Sequence, residues 1–380
     1  MIPVFDTTRQ IKKYRRQFIK TIDEVMSKGN FILGSKVAQF EKEFAAYTGV
    51  KFAVGVASGT DALMLSMQAL GINNPGEEVI MPANSYPTAF AVVSTGARPR
   101  LVDIDGSFNI DPLKIEKAIT AKTRAIIAVH LFGQPADLQK IMQTANKYNL
   151  PLIEDCAQAH GAVYKNPTLP SGLRGASKKV GSIGKIGCYS FYPTKNLGAF
   201  GDGGMIVTND EELFKKIKLL RMYGEEERYK SVLQGRISRL DEIQAAILSV
   251  KLQYLDKWNE RRREIAGKYR SHLENSPCRL PPALPFTKHV YHLFVIRTKK
   301  RDLLKNYLEK KGIATGIHYP VPIHLVPSFK SLGYKEGDFP ESEKAAKEIL
   351  SLPMFPELID KEVRFTAAEI KNFYDNTGGV

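Results

Sequence analysis

Phe52-Ala53-Val54-Gly55-Val56-Ala57-Ser58-Gly59-Thr60-Asp61-Ala62-Leu63 is the stretch on which the fold turns. Its first five residues are apolar without alternation, the pattern of a strand covered on both faces. A small polar turn follows, and residues 62–70 read as a helix that Gly71 ends. The same order repeats toward the C-terminus. Strands are expected at 78–81, 100–103, 125–129 and 151–154. Helices are expected from Tyr86-Pro87 to near Gly96, from the Asp111-Pro112 cap to about 119, and over 136–148. Repeated strand–helix units with solidly apolar strands predict an α/β domain built on a mostly parallel sheet flanked by helices.

Residues 165–182 break this rhythm. Asn166-Pro167, Leu169-Pro170, Ser171-Gly172 and Gly175 signal an irregular loop. The sheet resumes around 187–191 and 204–208. One long helix is expected over 241–269, where Ile243, Ala246, Ile247, Val250, Leu252, Leu255 and Trp258 recur at helical spacing. After a Pro-rich segment at 277–285, a strand at 290–296 and a helix at 302–311 suggest a smaller α+β unit. The 380 residues exceed what one core usually holds, so two domains are expected, 1–250 and 251–380.

The composition, 43% hydrophobic and 25% charged, is that of a globular protein. A net charge of +15 favours anionic partners. The basic residues are scattered, as at Arg15-Arg16, Arg261-Arg262-Arg263 and Lys310-Lys311, without interleaved aromatics, so nucleic acid is not expected. They read as solvated faces, with a few free to meet a diphosphate. Cys156, Cys188 and Cys278 form no CxxC pair, which argues against disulfides and a metal site and fits a reducing compartment. The N-terminal residues lack a signal-peptide core, and no apolar run approaches the ~20 residues of a membrane span. A cytoplasmic protein with no membrane partner is expected.

Three segments carry chemistry. Ser58-Gly59-Thr60-Asp61 joins a strand to a helix, and a helix N-terminus offers N–H groups and a positive dipole end to an anion such as phosphate. The same residues also suit an ordinary N-cap. In Ile153-Glu154-Asp155-Cys156-Ala157-Gln158-Ala159-His160-Gly161, an apolar strand ends in Asp155, where α/β sheets bind ligands. A carboxylate there keeps a pyridine nitrogen protonated, or caps a helix. Gln158 shares its side of the chain, and His160 either orients Asp155 or is a satisfied half-buried histidine. In Ser190-Phe191-Tyr192-Pro193-Thr194-Lys195-Asn196-Leu197-Gly198, a lysine sits among apolar neighbours. Desolvated lysines are nucleophilic enough for Schiff-base chemistry, whereas most loop lysines are solvated.

Taken together, residues 58–63, 153–162, 190–204 and 238–248 resemble the DegT/DnrJ/EryC1/StrS family of pyridoxal-phosphate (PLP)-dependent nucleotide-sugar aminotransferases. The resemblance runs from Phe31 to Met354, nearly the whole chain. It implies the fold-type I aminotransferase fold and a homodimer with shared active sites. It also implies roles. Lys195 would bind PLP covalently and move the proton, and Asp155 would pair with the pyridinium nitrogen. Gln158 would meet the ring hydroxyl, Gly59, Thr60 and Ser190 the phosphate, and Tyr86 would stack on the ring. Where the family usually has Gly-x-Asn-Ser-Arg-Leu-Asp, with its Asn reaching the partner subunit's cofactor, this chain reads Gly235-Arg236-Ile237-Ser238-Arg239-Leu240-Asp241. Ile237 donates no hydrogen bond, which leaves compensation to Arg236 or Ser238.

Glutamate is the amino donor the resemblance implies, and a nucleotide-linked keto sugar the acceptor. The run Gly316-Ile317-His318-Tyr319-Pro320-Val321-Pro322-Ile323-His324 lies near the sugar in such enzymes. With Pro193-Thr194-Lys195 it looks most like members acting on dTDP-3-keto-6-deoxyhexoses. A 4-keto sugar or a UDP carrier stays open. His318 and His324 are expected sugar contacts, and Arg221, Tyr223 and Arg239 expected diphosphate contacts or structural groups. Two rival classes are a PLP-dependent sugar dehydratase, which typically has His in place of the lysine, and a nucleotide-sugar-binding regulator without catalysis.

Overall fold

The computed structural model describes residues 1–165, 177–282 and 284–377. Two helices precede the first strand. In α1 (Thr7–Lys28), Asp6 caps the start by accepting from the N–H groups of Thr8 and Arg9, and Tyr14, Phe18, Thr21 and Val25 form the buried stripe. Helix α2 (Ser35–Thr48) follows.

The alternating part then unfolds as β1 (Phe52–Val56), α3 (Gly59–Ala69), β2 (Glu78–Pro82), α4 (Tyr86–Val93), β3 (Arg98–Val102), α5 (Pro112–Ala118), β4 (Thr123–Val129), α6 (Leu138–Lys147), β5 (Leu152–Asp155), β6 (Ile186–Ser190), β7 (Gly204–Thr208) and α7 (Glu211–Leu220). The seven strands make one sheet in the order β1-β7-β6-β5-β4-β2-β3. Strand β7 runs antiparallel to both of its neighbours, and the other pairings are parallel. This is the mixed, mostly parallel sheet flanked by helices that the sequence implies. Val54, Met81, Ile127 and Ile153 face one apolar cluster, and Ala53, Ile80, Ile126 and Leu152 face another. Burial on both faces is why these strands show no alternation.

The sheet's geometry creates the site. The carboxyl ends of β1, β4, β5 and β6 lie on one edge, bringing Ser58, Leu131, Asp155 and Ser190 together.

The remaining elements are α8 (Glu242–Leu252), α9 (Leu255–Leu273), β8 (Phe294–Arg297), α10 (Arg301–Lys310), α11 (Pro340–Glu348), β9 (Ile349–Leu352) and α12 (Asp360–Thr377). Strands β8 and β9 pair antiparallel, and Tyr269, Phe294, Leu304, Leu350, Phe355 and Ile370 build a cluster of their own around them.

Three expectations change. The helix over 241–269 is two helices, with a corner at Gln253-Tyr254. There Tyr254 N donates to Lys251 O, an i→i−3 bond that interrupts the α-helical ladder, and the Tyr254 ring packs 4.4 Å from Tyr14. The strand expected over 290–296 begins only at Phe294, because Asn196 and Arg262 take the carbonyls of Val290, Tyr291 and His292 that a sheet neighbour would otherwise take. Of the expected loop over 165–182, residues 166–176 lie outside the described residues. Its far end, Lys178–Lys179, is a short strand paired with Val163–Tyr164.

Candidate active site

The carboxyl edge of the sheet opens into a cavity of about 550 Å³, whose other side is lined by His292, His318, Tyr319 and Met354. Ser58, Gly59, Thr60, Asp155, Gln158, Ser190 and Lys195 all line it. Three separate segments of the chain therefore converge there.

One end is the start of α3. Ser58 Oγ accepts from Asp61 N at 3.0 Å, and Ser58 O accepts from Ala62 N. The N–H groups of Gly59 and Thr60, which have no intrahelical acceptor, are left for a ligand. A side-chain cap and two free N–H groups thus coexist at this turn. Glycine is required at 59, because a Cβ there would sit 2.6 Å from Ser190 Cβ. Ser238 Oγ donates to Asp61 Oδ2 at 2.9 Å and accepts from Ala57 N at 3.1 Å, so its hydroxyl is spent bracing this turn.

Asp155 is buried at the tip of β5. Its Oδ2 accepts from Thr88 Oγ1 at 2.7 Å and its Oδ1 from Ala157 N at 3.1 Å. Gln158 Oε1 accepts from Phe132 N at 2.6 Å, which points the amide NH₂ toward the cavity as a donor.

Lys195 sits on a turn closed by Lys195 N donating to Tyr192 O and Ala199 N donating to Phe191 O, each 2.8 Å. The residue keeps some contact with the cavity, yet protein encloses its amine. Desolvation pulls its pKa down to about 8, against the opposing pull of the Asp155 charge. At neutral pH the amine therefore gains and loses its proton far more readily than a surface lysine.

His160 takes neither of its expected roles. Its ring is fully buried, 5.4 Å from Tyr189 and 5.8 Å from Phe191, makes no hydrogen bond to Asp155, and is held neutral by burial and by Lys195, with its pKa lowered to about 3. Tyr86 stands at the rim and not on the cavity lining, its ring 4.8 Å from Phe90 one turn further along α4. Tyr319, 6.1 Å from Tyr86, is an aromatic that does line the cavity.

Of the expected substrate contacts, His318 lines the cavity, with Nδ1 2.9 Å from Ser351 Oγ. His324 is buried elsewhere, with Nε2 2.8 Å from Glu343 Oε1. Arg221 is turned under β1, donating to Glu41 Oε1 at 2.5 Å and to Gly55 O at 2.9 Å, so its guanidinium is a structural group. Tyr223 is 53% exposed and Ile237 39% exposed, beside a bridge linking Met222 with Ile237, and neither lines the cavity. Arg239 Nη1 lies 3.7 Å from Met222 Sδ in the same region.

Three lining residues carried no sequence signal of their own: Thr88, Asp202 and His292. Thr88 is one helical turn into α4, and His292 lies within the stretch read as a strand. Only the fold brings them to the sheet edge.

His130, Glu154 and Cys156 form a buried group with metal-like composition. The Glu154 oxygens, however, accept from the N–H groups of Gly181, Ile183 and Gly184, and His130 Nε2 lies 3.1 Å from Oε2. His130 Nδ1 accepts from Ala136 N, so Nε2 carries the proton and donates to Glu154. With its acceptors filled, the group works as a strap for the 181–184 turn.

A buried amine of lowered pKa facing a hydrogen-bonded carboxylate, beside a helix N-terminus on a doubly covered α/β sheet, defines an aminotransferase-like centre. The DegT/DnrJ/EryC1/StrS aminotransferase family model matches residues 12–371, and the chain belongs to that family. It is 46% identical to a "Pleiotropic regulatory protein" of Geobacillus stearothermophilus, over 98% of each chain. It is 44% identical to the dTDP-3-amino-3,6-dideoxy-alpha-D-galactopyranose transaminase of Aneurinibacillus thermoaerophilus, over 98% of this chain and 99% of that one. Among solved structures, S. venezuelae DesV in complex with a ketimine intermediate superposes with a TM-score of 0.93 at 41% identity, covering 98% of each chain. NtdA from Bacillus subtilis with bound cofactor PMP superposes with a TM-score of 0.84 at 35% identity, covering 94% of this chain and 82% of that one.

Proposed function

We propose that this chain is a PLP-dependent aminotransferase that moves an amino group from glutamate to a nucleotide-linked keto sugar, a dTDP-3-keto-6-deoxyhexose. The observation that carries this reading is the meeting of Lys195, Asp155 and the Gly59–Thr60 helix start in one desolvated cavity. Each meets a separate need of the same cofactor: an amine, a partner for the ring nitrogen and an anion cradle.

The residues fit PLP. Gly59, Thr60 and Ser190 would take the phosphate, in a cradle that a Cβ at 59 would fill. Asp155, fixed by Thr88, would take the ring nitrogen, and Gln158, with its carbonyl oxygen already occupied, would donate to the ring hydroxyl. Bound PLP supplies an electron sink for the substrate's amine-bearing carbon. The chain's own work is to hold that group, exclude water and move one proton through Lys195, whose amine titrates near the working pH.

Val4, Phe5, Leu293 and Met354 give the cavity an apolar side. Among the described residues, Lys195 is the one Lys or Arg on the lining. The apolar side favours a 6-deoxy sugar, whose methyl group needs no polar partner. UDP-linked and 4-keto sugars are the alternatives within the same reaction. A purely regulatory role gains support from the similarity to a pleiotropic regulatory protein, but the retained Lys195–Asp155 pair favours catalysis. A dehydratase reading is disfavoured by Lys195 itself.

On the same footing we place a homodimer with shared sites, a cytoplasmic location, division at about residue 250, and partner-side roles for Tyr223 and Arg239. Among the described residues no helix is long and apolar enough to cross a membrane. The test is a panel of dTDP- and UDP-linked 3-keto and 4-keto sugars with glutamate and PLP, with products read by mass. A dTDP-3-amino-6-deoxyhexose is expected. Turnover of none of the sugars would refute the assignment.

A further inference from the structure

His292 belongs to the cavity lining and has no role in the function proposed above. Its environment is unusually determined. Asn196, the residue after Lys195, donates from Nδ2 to Val290 O at 3.1 Å and to Asn259 Oδ1 at 2.8 Å. Asn259 in turn donates from Nδ2 to His160 O at 2.8 Å. The two main-chain carbonyls only accept, so both amides have one possible orientation. Asn196 Oδ1 is then an acceptor, and the ring atom facing it at 3.2 Å, His292 Nδ1, must carry the proton and donate. A neutral imidazole has one N–H, which leaves Nε2 with a free lone pair.

The backbone is fixed as well. Arg262, a fully buried guanidinium, donates from Nη1 to the carbonyls of Tyr291, His292 and Met354 at 3.0–3.3 Å. Tyr291 adopts φ 44°, a left-handed conformation that costs a non-glycine residue about 1 kcal/mol or more. Its ring stacks on His289 at 3.9 Å, and this turn swings His292 out of the strand and onto the cavity. Such local strain, held by a buried arginine and an oriented amide chain, is characteristic of a functional position.

The charged and titratable groups around the ring are Lys195, Arg262, His318 and His160. Burial and these neighbours all hold the imidazole neutral, well below the ordinary histidine range. His292 and Lys195 line the same cavity, and a neutral acceptor turned toward a lysine amine stabilises its ammonium form and gives it a fixed direction.

We infer that His292 is a positioning residue for Lys195: Asn196 holds the imidazole as the Nδ1–H tautomer, so that Nε2 presents its lone pair in the cavity to the Lys195 ammonium. Because Asn196 is the chain neighbour of Lys195, the amine and the group that orients the acceptor are mounted on the same turn. No proton leaves the ring. The imidazole holds the lysine ammonium in place while Lys195 moves the substrate's proton. The inference rests on the PLP reading of Lys195.

Two variants separate this role from packing. In His292→Asn the amide nitrogen falls near the Nδ1 position and keeps the bond to Asn196, but nothing occupies the Nε2 position. In His292→Gln the amide oxygen reaches the Nε2 position. Stopped-flow bleaching of the PLP band by glutamate is expected to slow about 100-fold in His292→Asn and to recover at least tenfold of that in His292→Gln. The acid limb of the pH–rate profile is expected to move to lower pH in His292→Asn, because an ammonium that loses its acceptor gives up its proton more easily. ¹⁵N-histidine NMR of the cofactor-free chain gives a readout independent of activity. One ring, identified by its loss in His292→Asn, is expected with its proton on Nδ1 and without titration between pH 6 and 8. Wild-type bleaching rates in His292→Asn, a slowed rate with an unmoved acid limb, or a proton on Nε2 would each overturn the inference. A wild-type chain that never acquires the PLP band refutes the functional assignment instead, and the NMR result still decides the tautomer.

Discussion

Thr88 Oγ1 donates a 2.7 Å hydrogen bond to Asp155 Oδ2, and both groups are buried. The Thr88 hydroxyl, its proton committed to Asp155, accepts in turn from Ser85 Oγ at 2.6 Å. The carboxylate beneath the proposed ring position is thereby held by α4, which follows β2, two strands away from β5 in the sheet. Thr88→Val keeps the shape and removes the donor. A net buried hydrogen bond to a charged group is worth about 2 kcal/mol, so PLP affinity is expected to fall roughly tenfold or more by fluorescence titration. The absorption band itself is expected to persist, since Lys195 is untouched.

Gly59→Ala places a methyl 2.6 Å from Ser190 Cβ at the mouth of the anion cradle. The expected result is a loss of PLP binding with less effect on inorganic phosphate, which is small enough to seat further out. Equilibrium dialysis of both ligands checks this.

Buried Arg221 and half-buried Glu41 form an ion pair under β1, with Glu41 also accepting from Gly55 N at 2.8 Å. Removing one partner strands the other's charge. Glu41→Gln is expected to cost roughly 3 kcal/mol in urea unfolding while leaving the sugar KM unchanged. A raised KM at unchanged stability would instead return Arg221 to the substrate.

Lys195 gives the cofactor-free chain a pH signature. The unfolded chain holds the lysine proton up to pH near 10.5, and the folded chain only up to about 8. Between these values the unfolded state binds more protons, so folding stability rises with pH through that window and carries a constant penalty below it. At pH 7 that penalty is about 3 kcal/mol. Lys195→Met, lacking the charge, is expected to melt higher than wild type at pH 7, with the gap narrowing by pH 10. Parallel melting curves with no narrowing would contradict a desolvated amine.

How much of this was legible in the sequence differs by residue. The apolar, non-alternating strands announced a doubly covered sheet, and Asp155 at a strand end and Gly59 at a helix start were readable because position within an element fixes them. Lys195 was visible only through its neighbours, since desolvation is a property of the folded cavity. Thr88 and His292 were not readable. Their roles depend on which strands lie side by side and on carbonyls claimed by Asn196 and Arg262, none of which is local. Arg221 and His324 show the converse: their carboxylate partners, Glu41 and Glu343, are distant in sequence, so nothing near them separated a substrate contact from a structural one.

The most direct test of the central claim is borohydride reduction of the purified chain with PLP, followed by peptide mass mapping. The expected result is one phosphopyridoxyl adduct, on Lys195, lost in Lys195→Ala and prevented when glutamate is added before the reductant. An adduct on another lysine, or none on a folded chain, would contradict the account.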